Sequence, residues 1–145
     1  LAQSDRALDV LDVGCGSAIL SMLANRLGAR HVVGVDNDAT AIDVALENLV
    51  VNDLEGAIDL STTPAGDIDD VFDIVVANIL THILLELRDA LKARVAPGGS
   101  LVLSGITVDQ IGSIREAFDA DGWLETDTRR ANDWCAIVFE PRREP

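Results

Sequence analysis

The chain has 145 residues, 48% of them hydrophobic, with a mean hydropathy of +0.24: enough to bury the core of one domain and too short for a second. Its 25 acids outweigh 11 bases, a formal net charge of −14, and such a surface repels phosphate backbones, which argues against direct nucleic-acid binding. No apolar run approaches the roughly 18 residues of a membrane span, the first residues lack the charged and apolar regions of a signal peptide, and the expected compartment is the cytoplasm.

Leu1 to Arg6 carries no periodicity and is expected to be frayed. Ala7 to Val13 reads as the first strand, with Asp12 an acid inside an apolar run. That acid either caps the following turn by accepting backbone N–H bonds or organises the glycine loop. The strand passes into Gly14-Cys15-Gly16-Ser17-Ala18 and then into a helix over Ser17 to Leu27, with Ile19, Leu20, Leu23, Ala24 and Leu27 on one face and Gly28 as its stop. A buried strand, a tight glycine turn and a helix start form a cradle for a nucleotide-bearing ligand. Glycines let the ligand approach the backbone, and the helix N-terminus offers unpaired N–H groups.

His31 to Val35 is a second strand, rich in valine, and Asp36 closes it where an acid suits ribose hydroxyls. Asp38 or Thr40 caps the next helix, which runs to about Val51 with Ile42, Ala45, Leu46 and Leu49 inward. A turn cluster, Asn52 to Gly56, leads to a third strand at Ala57 to Ser61 and a loop from Thr62 to Asp67. The plain reading of Asp67 is a solvated loop carboxylate. Phe72 to Asn78 is a fourth strand that ends on a polar residue before Ile79 and Leu80.

Thr81 starts a helix through Ile83, Leu84, Leu87, Leu91 and Val95, closed by Ala96-Pro97-Gly98-Gly99. A fifth strand covers Ser100 to Ser104, and a helix follows over Asp109 to Ala120 with Ile111, Ile114, Ala117 and Phe118 as its stripe. Trp123 to Arg130 and Trp134 to Glu140, separated by Ala131-Asn132-Asp133, read as an antiparallel hairpin. Cys15 and Cys135, like His31 and His82, stand too far apart in sequence for metal-ligand spacing, so no metal site is expected. Lys92 is the single lysine, a composition that fits either a highly soluble acidic surface or one adapted to high salt.

Strands alternating with helices imply a parallel sheet covered on both faces, with the hairpin adding antiparallel strands at one edge. Ligands on such sheets sit beyond the carboxyl ends of the strands. The Gly14 to Ala18 turn, Asp36, the Asp67 loop and Asn78 all fall on that rim.

Gly14-Cys15-Gly16-Ser17-Ala18 after Leu11-Asp12-Val13, Asp36 at the end of strand two and Pro97-Gly98-Gly99 before strand five resemble a class I S-adenosylmethionine-dependent methyltransferase. Val76-Ala77-Asn78-Ile79-Leu80, Leu103-Ser104-Gly105-Ile106 and Trp134 make the chain most similar to the catalytic domain of the PrmA-type methyltransferases, which modify a large-subunit ribosomal protein. The resemblance spans about residues 8 to 140. Dinucleotide-binding dehydrogenases share the glycine turn, but Ile19 stands where they want the third glycine of G-x-G-x-x-G. The chain departs from the family at Ala18, where a third glycine is usual. The family's threonine- and glycine-rich segment before the first strand and its N-terminal substrate-recognition domain are not expected among these residues.

The resemblance implies an α/β, Rossmann-like three-layer sandwich, a mostly parallel seven-stranded sheet of order 3-2-1-4-5-7-6 with a C-terminal antiparallel hairpin, as one domain over residues 1–145. It implies S-adenosylmethionine as cofactor and S-adenosylhomocysteine as product. Backbone groups around Gly14, Cys15, Gly16 and Ser17 would approach the methionine part, and Asp12 would orient the loop. Asp36, with Asn37 beside it, would take the ribose hydroxyls, Asp67 the adenine amino group, and Ile68 the ring. Asn78 would face the methyl group and hold an acceptor amine in line; otherwise it is a strand-end residue bonding its own loop. The implied activity is methyl transfer to a lysine or N-terminal amine, on a ribosomal protein as partner. Another protein, RNA or a small molecule as acceptor, and a cofactor-binding module without turnover, stay open.

Overall fold

The apolar runs are short, and the segments between them are long enough to cross over the sheet, which is what parallel pairing requires. A computed structural model describes residues 6–143, so the stretch expected to be frayed lies, except for Arg6, outside the described residues. Strands β1 (Asp9–Val13), β2 (His31–Val35), β3 (Asp59–Ser61), β4 (Phe72–Asn78) and β5 (Val95–Thr107) are parallel. The antiparallel strands β6 (Trp123–Ala131) and β7 (Trp134–Pro141) complete one sheet of order β3-β2-β1-β4-β5-β7-β6. Helices α1 (Ile19–Arg26), α2 (Ala39–Val51), α3 (Thr81–Glu86), α4 (Arg88–Ala93) and α5 (Ile111–Phe118) alternate with the strands. The expected fold class and strand order are what the chain adopts.

Side-chain alternation divides the sheet into two faces. On one, Leu11, Val75, Leu101, Leu103, Ile137 and Phe139 pack beneath Leu84, Leu91, Ile114 and Phe118 of α3, α4 and α5, all fully buried. On the other, a smaller cluster joins Val10 and Val32 to Leu49, Leu54 and Ile58. Here α1 rests on β1 and β2, and α2 on β3. The cross-strand row Val76, Val102 and Val138 is only half-buried. The covering of both faces is therefore uneven among the described residues.

Register aligns the strand exits. Val13 stands beside Val35 and Ala77, Val35 beside Ser61, and Asn78 beside Ser104. The ends of β1 to β4 thus share one edge of the sheet.

Several local expectations change. In α1 the buried residue is Ser21, while Ile19, Leu23 and Leu27 point to solvent, Leu27 at 75% exposure. The cause is close approach: a Cβ on Gly34 of β2 would lie 3.0 Å from Ser21 Oγ, so only a small side chain fits between helix and sheet. In α2, Ile42, Ala45 and Leu49 turn inward as expected, but Leu46 is exposed above the β3 edge. Asp38, not Thr40, is the cap, accepting the Thr40 N–H at 2.9 Å.

The third strand shortens to Asp59–Ser61, and the single helix expected after Thr81 is two, broken at Leu87 (φ −90°, ψ 3°). The fifth strand is longer than expected because Val95 already pairs with Phe72. Between that pair and Ile74–Ser100, Ala96 to Gly99 bulge outward rather than closing a helix. Gly99 is required there, since a Cβ would lie 2.8 Å from Asp73 O. The hairpin turn is the pair Asn132-Asp133, with Asn132 at φ 56° and Ala131 inside β6.

Candidate functional site

The glycine turn is built by backbone strain and by contact. Gly14 and Gly16 have φ of 72° and 51°, a region that favours glycine. Gly14 is constrained twice, because a Cβ there would lie 2.3 Å from Ile79 Cγ2, the side chain that follows Asn78. A Cβ on Gly16 would meet nothing within 4 Å, so that position faces open space. Ala18 adopts φ 69° and caps α1 without a side-chain acceptor, and it is fully buried. The alanine in place of the family's usual glycine therefore occupies a left-handed conformation and keeps the turn.

The N–H groups expected to face a ligand are partly spent inside the protein. Gly14 and Cys15 both donate to Val35 O, at 2.8 and 3.0 Å, and Gly16 donates to Asp36 Oδ2 at 3.0 Å. Those bonds tie the turn to the end of β2. Ser17 lies exposed beyond them.

Asp12 is 2% exposed and accepts from Ser21 Oγ at 2.7 Å. Of the two readings of this acid, the bond is to the helix after the loop and not to the turn itself. Burial pushes its carboxyl above the ordinary 3.8, opposed by the Ser21 hydrogen bonds and reinforced by the charge of Asp36. Burial, with Asp12 and Asp36 nearby, pushes the Cys15 thiol up to about 12, so it stays a thiol.

Asp36 stands half-buried at the exit of β2. One carboxylate oxygen takes the Gly16 N–H and the other takes the Asp38 N–H at 3.0 Å. A carboxylate has about four acceptor sites, so each oxygen keeps capacity for another donor. Asn37 is exposed beside it. Asp67 ends a single 3-10 turn, Ala65–Asp67, and is exposed, while the half-buried Ile68 packs against the larger core.

Asn78 ends β4 on the exposed rim, and its carboxamide makes no hydrogen bond among the described residues. It lines a cleft of about 510 Å³ with Ser104, Gly105, Arg129 and Trp134, whose indole is 57% exposed. Gly105 (φ 77°) forms one wall: a Cβ there would lie 2.8 Å from Asn78 Oδ1 and 3.0 Å from Ile79 O.

Sheet order brings the turn, Asp36 and Asn78 to adjacent strand exits, and the Asp67 turn follows the exit of β3. Sequence reading missed Ser21 and Gly34, and it named Ser104, Gly105 and Trp134 only as motif residues, not as walls around Asn78. Two of these carried a signal, since a glycine inside a valine strand marks close backbone approach.

The chain matches a family model, "Ribosomal protein L11 methyltransferase (PrmA)", over residues 1–142. It is 44% identical over 130 residues to a ribosomal protein L11 methyltransferase of Pelobacter propionicus, covering 90% of this chain and 42% of that protein. A Geobacter metallireducens protein of the same description is 43% identical over 132 residues, covering 91% of this chain and 44% of the relative. The chain thus spans under half the length of these relatives. Among solved structures, a ribosomal protein L11 methylase from Lactobacillus delbrueckii subsp. bulgaricus superposes with a TM-score of 0.90 at 33% identity, covering 96% of this chain and 72% of that one. Magnesium protoporphyrin IX methyltransferase from Synechocystis PCC 6803, solved with bound SAM, shares the fold at a TM-score of 0.76 and 19% identity, over 94% of this chain and 69% of that one. From its sequence, its strand order and these likenesses, the chain belongs to the ribosomal protein L11 methyltransferase (PrmA) family.

Proposed function

We propose that this chain is the catalytic, S-adenosylmethionine-binding part of a protein N-methyltransferase whose acceptor is a lysine or N-terminal amine of a ribosomal protein, L11 in the relatives' names. The observation that carries the reading is Asn78: an unbonded carboxamide at a strand exit, facing a cleft, two strands from an acid suited to ribose. The residues present fit the cofactor. Asp36 keeps acceptor capacity for the ribose hydroxyls, and open space lies against Gly16. When bound, S-adenosylmethionine supplies an activated methyl group, whose transfer to an amine nitrogen leaves S-adenosylhomocysteine.

In this reading Asp12 and Asp36 do different work. Asp12, buried under Ser21, fixes α1 against the sheet, and Asp36 holds the turn with one lone pair of each oxygen while binding ribose with others. The exposed Asp67 receives the adenine amino group, with Ile68 beside the ring and Asn37 flanking the ribose. The Asn78 oxygen accepts from the acceptor amine and orients its nitrogen lone pair, while Trp134 offers an apolar wall to the alkyl stem. A carboxamide is not a base, so the amine arrives neutral or yields its proton to water. Positioning supplies the rate. A net charge of −14 favours a basic protein partner over RNA, and a ribosomal-protein acceptor places its action in the cytoplasm. No helix of the described residues is long and apolar enough to cross a membrane.

The test is incubation of the chain with methyl-labelled cofactor and purified ribosomal protein L11, alongside ribosomal RNA. Label in the protein that disappears with Asn78→Ala supports the reading. Label in RNA, or transfer to protein undiminished in Asn78→Ala, overturns it.

A further inference from the structure

We infer that Gln110 is a positioning residue for the acceptor side of the site, clasping the segment after β4 to the end of β5, the strands whose exits flank the Asn78 cleft. The inference rests on the proposed role of Asn78 and asks what holds that residue in place. The Asn78 carboxamide has no hydrogen bond among the described residues, so its orientation comes from packing. Gly105, at the exit of β5, lies against its Oδ1, and a single added carbon there would collide. The carboxamide stays put only while the exits of β4 and β5 keep their separation.

Gln110 spans that separation. Its Oε1 accepts from Thr81 Oγ1 at 2.8 Å, and Thr81 is a buried polar residue three positions beyond Asn78. The same oxygen accepts the Thr107 N–H at 3.4 Å, and the Gln110 N–H donates to Thr107 O at 2.9 Å. A carbonyl oxygen has two lone pairs, and here one serves the start of α3, just beyond β4, and the other the end of β5. Thr107 in turn pairs with Trp134 across β5 and β7, and the Val108 N–H donates to Asp133 O at 3.0 Å in the hairpin turn. One side chain thus connects the Asn78 segment to the end of β5, and Thr107 and Val108 carry that link on to the hairpin that holds Trp134. Its position N-terminal to α5 keeps it off the cofactor strands β1 and β2.

A clasp of this kind moves acceptor geometry and leaves cofactor binding alone. Gln110→Leu and Thr81→Val each remove the bond, and Thr81→Ser retains the hydroxyl. With labelled cofactor and L11, the expected result is a fall in kcat of roughly tenfold for Gln110→Leu and Thr81→Val, in line with the cost of small misplacements. S-adenosylmethionine affinity should be unchanged within about twofold, and Thr81→Ser should restore the rate. The double variant should lose no more than the worse single one, because both remove the same bond. Heteronuclear NMR supplies a readout that needs no turnover: the Asn78 side-chain amide and Trp134 indole peaks shift in Gln110→Leu, while the Trp123 indole, beside Lys92, serves as the internal control. Wild-type kcat and unmoved Asn78 and Trp134 peaks in Gln110→Leu would overturn the inference. So would additive losses in the double variant. Full activity in Asn78→Ala instead contradicts the underlying reading of Asn78, so the two failures are told apart.

Discussion

The two faces of the sheet do different jobs. Beneath α3, α4 and α5 the core is continuous from β1 to β7, with Phe118 and Phe139 stacked at 5.6 Å between ring centroids. Beneath α1 and α2 the apolar cluster is small, Ser21 is the buried residue of α1 with Met22 and Ala24 packed beside the cluster, and Leu23 and Leu27 face outward. Hydrophobic stabilisation follows buried area, so the first face supplies most of it. The second trades area for closeness: small residues let α1 and its turn settle onto β2 and leave the rim beside Asp36 open. In the proposed reading, the first face supplies stability and the second shapes the turn beside Asp36.

The largest test of that separation is truncation on each face. Phe118→Ala should cost about 3–5 kcal/mol, and Leu54→Ala, in the smaller cluster, about 2 kcal/mol. Urea unfolding with unchanged m-values measures both, and equal losses would break the comparison. Next in size is Gly34→Val. An added Cβ lies 2.7 Å from Leu60 Cδ2, 3.0 Å from Ser21 Oγ and 3.3 Å from Cys15 Cβ. The overpacking should cost about 1–3 kcal/mol and lift α1, so cofactor affinity should drop by roughly tenfold, about 1.4 kcal/mol. Stability lost with affinity intact would separate the helix position from the site.

A subtler test is pH. Burial raises the Asp12 carboxyl above 3.8, so the folded chain holds this proton more tightly than the unfolded one. The contribution of Asp12 to stability therefore falls as pH rises from about the unfolded value through the folded one, then levels off. Asp12→Asn removes that slope. Stability of the parent minus that of the variant should decline across this window, and a difference that climbs with pH would show that hydrogen bonding outweighs desolvation. Smallest of all, Leu23→Gln and Leu27→Gln on the outward side of α1 should change stability by no more than about 0.5 kcal/mol in thermal unfolding.

Much of this was legible in the sequence, and what was not has physical reasons. Short apolar, valine-rich runs located β1, β2 and β4, and the glycine turn and Asp36 stood out because their chemistry is local. The inward face of α1 was misread because apolar periodicity predicts burial only when room exists, and Gly34 removes the room. The break at Leu87 carries neither proline nor glycine, and Leu84 and Leu91 reach the same core from two short helices. The walls of the Asn78 cleft come from β4, β5 and the hairpin, residues joined only by strand order, which no local pattern encodes.

The open rim beside Asp36 should be where S-adenosylmethionine binds. Isothermal calorimetry on the chain and on Asp36→Ala tests it directly. The expected result is one site per chain, weakened at least roughly tenfold in Asp36→Ala, about 1.4 kcal/mol or more, while Leu23→Gln binds as the parent does. Equal affinity in the parent and Asp36→Ala, or no binding by the parent, would contradict it.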